Sequence, residues 1–317
     1  MATIIDKRCG EIGKTFLDVV RNSRVLEDQP SIPQGSHDLV MGNLRVNAVA
    51  GRNLLNQVTY SYYLGTALAL FDAAMTLAAT PEFYPAIALD RTSVKHYRSV
   101  TPSSFVSYEE FTASRREELK SFTPHRMPDS RERVGLGITL YQNAARFVAF
   151  HEQGHFLRGH LHYLYSTSKK LSFAELPTAG GEREAEPAVA RALEFDADGF
   201  AAAVAFGDLL TFASLTEQAN AQTGANLTQE DYAHLFLLGV ACLFAVLHRT
   251  ERSNRNDQLT HPSAAARVAN IWRYFVGTHR RSAANKNLTP DNPISVKALA
   301  DMQGNDCETS RRRGAYV

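Results

Sequence analysis

The chain has 317 residues, 44% hydrophobic and 21% charged, an ordinary globular composition with ample material for a buried core. Its 34 Lys and Arg balance 33 Asp and Glu, so no strong net field draws nucleic acid or an anionic membrane. The cysteines, Cys9, Cys242 and Cys307, are far apart, which excludes a disulfide framework or a CxxC site and points to a reducing, cytoplasmic setting.

The opening stretch, MATIIDKRCGEIGKTF, lacks the apolar run of a signal peptide. Loop-like pieces such as EDQPSIPQGSHD follow, and then a long predicted helix from Gln57 to Thr80, stopped by Pro81. Asp72 within it reads as a satisfied polar group. FYPAIALD (Phe83 to Asp90) and SSFVSY around Phe105 read as short strands. The polar stretch from Thr123 to Gly137 marks a predicted boundary. It separates an N-terminal accessory region, 1–130, from a helical core, 131–280, and a tail, 281–317, with Arg311, Arg312 and Arg313. Core helices are predicted over 139–166, 187–206, 229–249 and 262–276, with Pro177, Gly180 and Gly181 breaking the chain between the first two. The longest apolar run, Leu235 to Leu247, has 13 residues, which suits a core helix better than a membrane span.

The chemistry begins in FHEQGHFLRGHLHYL, Phe150 to Leu164. His151-Glu152-Gln153-Gly154-His155 fits H-E-x-x-H, whose histidines at i and i+4 share one helix face and can reach one ion. Glu152, displaced by about 100° around the helix, is placed to act as a base on water rather than as a ligand. Gly154 costs about 1 kcal/mol relative to Ala inside a helix. It is either a packing glycine or one that admits a neighbouring backbone. His162 shares the face of His155 but lies about 10 Å further along the axis. His160 points elsewhere. Both read as core or surface positions rather than ligands.

A catalytic zinc takes three protein ligands and keeps one position open. The third is expected from ALEFDADGFAAA, in a helix that Pro187 can start. Glu194 and Asp198 are i and i+4, so one can bind metal while the other accepts a hydrogen bond from a ligating histidine. Asp196 points to another face. Leu193, Phe195, Ala197 and Phe200 argue for a buried helix rather than a solvated acidic face.

H-E-x-x-H followed by E-x-x-x-D, here Glu194-Phe195-Asp196-Ala197-Asp198, resembles the gluzincin zinc metallopeptidases. The pattern is most similar to the CAAX prenyl-protease and HtpX-type group, whose second motif ends in Ala-Asp. That group also carries a downstream H-P-x-x-x-x-R, and this chain has HPSAAAR, His261 to Arg267. Read without the other motifs, HPSAAAR is a helix start and a surface arginine.

The resemblance implies a mainly α (α+β) fold, with a zincin-like helical catalytic core and a small edge sheet. It implies one catalytic Zn2+ held by His151, His155 and Glu194, with Glu152 as base and Asp198 supporting a ligand. His261 and Arg267 would support the site or the oxyanion. The prenyl-protease type is an integral membrane enzyme, whereas no spanning helix is expected here, so a soluble relative is implied. The HEQGHFLRGHLHYL continuation and the chain length resemble the Lit-type phage-exclusion peptidases, soluble bacterial enzymes that cleave a translation elongation factor.

The expected function is therefore a soluble zinc metalloendopeptidase acting on a protein or peptide substrate, with no nucleic-acid partner. The alternatives are a housekeeping gluzincin that degrades unfolded chains and a non-catalytic zinc scaffold. A closed structural site usually needs four ligands, mostly Cys and His, which the separated cysteines do not supply. No feature of the sequence specifies an oligomeric state.

Overall fold

The computed structural model describes residues 7–23, 36–40, 46–52, 57–80, 95–96, 126–128, 130–168, 172–174, 187–211, 213–253 and 262–284. In chain order these form α1 (Lys7–Asn22), β1 (Ser36–Val40), β2 (Ala48–Arg52), β3 (Val58–Tyr63) and α2 (Leu64–Ala78). Two short strands follow, β4 (Lys95–His96) and β5 (Arg126–Met127), and then α3 (Arg131–Leu157) and α4 (His160–Ser168). The remainder is β6 (Ser172–Ala174), α5 (Pro187–Thr211), α6 (Ala213–Thr223), α7 (Gln229–Ser253) and α8 (Ala264–Ala284). The chain divides into two compact units, Met1–Ile271 and Trp272–Val317. The described part of the second, 272–284, is helical.

The central element of the first unit is α3. Ser130 caps it, accepting from the Arg133 backbone N–H at 3.1 Å, and Glu132 sits in the first turn, where the helix dipole favours an acid. The helix therefore begins inside the polar stretch, Thr123 to Gly137, that the sequence marked as a boundary. Its small and apolar residues bury nearly all round, from Leu136 through Phe150 to His155, because α1, α2, α5, α6 and α7 all pack against it. The catalytic-type motif thus lies in the interior rather than on a surface stripe.

A four-stranded sheet of order β1-β3-β2-β6 lies beside this helical body. β1 runs parallel to β3, with His37 opposite Tyr60, and β2 is antiparallel to both β3 and β6. The fold is mainly α with a small sheet, as expected.

Gln57 to Thr80 is not one helix. VTYSYY forms β3 with alternating burial, and only from Leu64 does the chain turn helical. Val, Thr and Tyr favour a half-buried pleated strand, and the period-two pattern outweighs the helical reading of the Ala-rich continuation. The predicted helix over 139–166 is likewise two helices. Gly159, at φ 77°, ends α3 and lets α4 restart in a new direction. The predicted strands at Phe83–Asp90 and around Phe105 lie outside the described residues.

Helix α7 carries an 18-residue window, Asp231–His248, long and apolar enough to cross a membrane by length and composition. The window extends the 13-residue run Leu235–Leu247 at both ends and takes in Asp231, His234 and His248. More than half of that window (56%) is buried against the rest of the fold, as in a core helix.

Candidate metal and catalytic site

His151 and His155 project from α3 toward Glu194 of α5, and all three are buried. The two Nε2 atoms are 3.0 Å apart. Glu194 Oε2 lies 3.5 Å from His151 Nε2, and Oε1 lies 3.7 Å from His155 Nε2. Neighbouring ligands of a tetrahedral zinc, with bonds near 2 Å, are separated by about 3.3 Å. The three observed spacings bracket that value, and two imidazoles with one carboxylate form a chemically suitable donor set. The buried cluster is compatible with one metal ion.

Gly154 lies between the two histidines, at the approach of α5. A Cβ there would meet Phe200 Cδ1 at 3.1 Å and Ala197 Cα and O at 3.4 Å. The absent side chain lets the backbone that carries Glu194 come close, so the glycine admits a neighbouring helix.

Asp198, one turn beyond Glu194, places Oδ1 3.0 Å from His151 Nδ1, on the side of the ring away from the cluster. Arg267, near the start of α8, donates from Nε to Oδ2 and from Nη2 to Oδ1, both at 2.8 Å. Its Nη2 also lies 3.2 Å from Glu194 Oε2, and its guanidinium sits 4.9 Å from the Phe244 ring centroid. Burial alone would raise the Asp198 carboxyl, but Arg267 and then His151 outweigh it and hold it below the ordinary value. Arg267 is only 3% exposed and lies against the acids of the cluster, not on the surface that HPSAAAR read by itself would suggest. It clamps the acids behind the histidines. His261 lies outside the described residues.

Glu152 is also buried. A cavity of about 20 Å³, room for roughly one water, is lined by His151, Glu152, Arg267, Asn47 and Thr66 among others. Burial first, and the nearby Glu152 carboxylate second, push the Tyr60 hydroxyl upward, and the same causes act on Tyr62. Both phenols stay protonated as donors. His37 Nδ1 lies 3.2 Å from the Tyr62 hydroxyl. The sequence reading missed these tyrosines because it took β3 as helix. The alternation in VTYSYY, which puts Val58, Tyr60 and Tyr62 on one face, was the available signal.

The remaining histidines separate in a way the sequence did not suggest. His162 is exposed. His160 does not point away: its Nδ1 is 2.9 Å from His155 Nδ1, and its Nε2 is 2.9 Å from Asp196 Oδ2. Arg158 donates to the same carboxylate from Nε at 2.9 Å and Nη2 at 3.0 Å. Burial raises the Asp196 carboxyl, but the His160 and Arg158 bonds more than offset this and bring it to about 2. All three acids of Glu194-Phe195-Asp196-Ala197-Asp198 therefore face the histidine cluster or its immediate partners.

No curated protein and no solved structure matches the chain significantly. The profile of the peptidase U49 family matches residues 58–288, a span that includes both histidines, Glu152, the three acids and Arg267. The match covers most of the chain, which accordingly belongs to the peptidase U49 family, the Lit-type metallopeptidases.

Proposed function

We propose that the chain is a zinc-dependent metalloendopeptidase that cuts one or a few peptide bonds in a specific cytoplasmic protein. The observation that carries this reading is the buried His151, His155 and Glu194 cluster, with Glu152 on the same helix, in a chain of a peptidase family. His151, His155 and Glu194 would hold the ion. A bound zinc supplies Lewis-acid chemistry, making a water acidic near neutral pH and polarising the scissile carbonyl.

The chain's own groups do the rest. Glu152 takes the proton of the attacking water and returns it to the departing amine. The Asp198 carboxylate, 3.0 Å from His151 Nδ1, favours a proton on that nitrogen, which would leave Nε2 without one toward the cluster. Arg267 pairs with both buried acids and offsets part of their charge, which helps them stay ionised away from bulk water. Oxyanion support is assigned to His261. Residues 1–130 are assigned target recognition, a role supported by the proximity of Tyr60 and Tyr62 in that region to Glu152.

The test compares new protein N-termini in cells expressing wild type or Glu152→Gln. New termini in one folded protein, absent with the variant, are the expected result. Cuts spread over many unfolded chains would make this a general degradative peptidase. No difference between the two strains would remove the catalytic reading.

A further inference from the structure

We propose that His160 is a positioning residue for His155, the middle of a directed hydrogen-bond chain that runs Arg158 to Asp196 to His160 to His155. The proposal rests on reading His151, His155 and Glu194 as a metal site.

The proton directions follow from the partners. Asp196 receives both Arg158 donors, at 2.9 and 3.0 Å, and is therefore an acceptor toward its third neighbour, His160 Nε2 at 2.9 Å. His160 then carries its hydrogen on Nε2. A neutral imidazole has one donor and one acceptor, so its Nδ1 accepts. The group it faces is His155 Nδ1, at 2.9 Å, which must donate. That leaves His155 Nε2 with a bare lone pair, facing His151 Nε2 at 3.0 Å and Glu194 Oε1 at 3.7 Å. This is the tautomer that a metal-binding imidazole needs.

The local fold is built to make this contact. In an unbroken helix, five positions would turn His160 about 140° away from His155. Gly159, at φ 77°, interrupts α3, and its amide accepts helix-end duty by donating to the Phe156 carbonyl at 3.0 Å. The chain then restarts with His160 folded back, 4% exposed. Each imidazole of the cluster thus has a carboxylate behind it, directly for His151 through Asp198 and through one intervening ring for His155. The two carboxylates come from one helix, two residues apart, and each is gripped by an arginine at two points.

The experiment measures zinc affinity of the purified full chain by competition with a chromophoric chelator, and records the visible spectrum after cobalt loading. His160→Leu is expected to weaken zinc by about 10–100-fold and alter the cobalt spectrum, the usual range for an outer partner of a ligand. His160→Gln, which can accept from His155 and donate to Asp196, is expected to restore most of the affinity. The metal-free melting temperature serves to separate lost packing from lost orientation. If His160→Leu does not fold, the partly exposed Asp196→Asn carries the test and is expected to weaken zinc in the same direction. Wild-type affinity in His160→Leu, or in Asp196→Asn, overturns the proposal while leaving the metal site standing. A wild-type chain that binds no zinc overturns the metal reading and the proposal together.

Discussion

Asp198 lies 3.0 Å from Nδ1 of His151 while both of its oxygens accept from Arg267 at 2.8 Å. The carboxylate is thus immobilised before it orients the ring, and none of its exposure remains. Asp198→Asn keeps the shape but offers an amide that can face His151 with either its oxygen or its nitrogen. Zinc affinity or turnover is expected to fall by about 10–100-fold, measured by chelator competition and peptide cleavage. Unchanged values in both assays would separate Asp198 from the site.

Glu152 sits beside the histidines without being one of the three clustered groups. Glu152→Gln is expected to retain stoichiometric zinc and lose about 10²–10⁴-fold in turnover, the usual contribution of a general base. Full activity would rule out that role.

Glu194→Ala is expected to abolish stoichiometric metal binding, because its carboxylate lies within 3.7 Å of both Nε2 atoms. His162→Ala, at an exposed position, is expected to leave metal content and activity at wild-type levels. Elemental analysis after dialysis distinguishes these outcomes. Retained zinc in Glu194→Ala would move the third ligand to another acid.

Arg267 is the cation paired with two fully buried carboxylates. Arg267→Met would leave both without that cation, at a cost of about 3–5 kcal/mol, readable as a shift in the denaturant midpoint. Arg267→Lys is expected to recover only part of this, since an ammonium cannot bridge both Asp198 oxygens in the same planar fork. Equal stability of the Lys variant and wild type would show that charge alone suffices.

Burial pushes the Cys242 thiol up to about 12, so almost no thiolate exists in mildly alkaline buffer. Iodoacetamide is expected to spare Cys242 in the folded chain and to modify it in urea, as read by peptide mass spectrometry. Rapid labelling of the native chain would mean that α7 opens locally.

The buried cluster of His151, His155 and Glu194 was readable from residue types and spacing because helical periodicity is local. His151 with His155, and Glu194 with Asp198, share faces by the geometry of a single helix, and Pro187 marks the start of the second. Burial of Glu194 and Asp198 was readable from Phe195, Ala197 and Phe200 for the same reason. The strand at Val58–Tyr63 was misread because VTYSYY runs straight into an Ala- and Leu-rich helix with no turn residue between them.

Three relations lay beyond local pattern. The motif resemblance put Arg267 at the site, but only the packing of α8 showed that its partner is Asp198, 69 positions away in the chain. Tyr60 and Tyr62 reach Glu152 only through the docking of β3 near α3. His160 seemed to point away because an uninterrupted helix would have turned it there. One left-handed glycine reverses that, and Asp196 then meets it from a different helix. A sequence states which groups are neighbours within a helix. Which helix lies against which is set by burial of apolar faces over long separations, and the partners of His155, Asp196 and Arg267 follow from that packing.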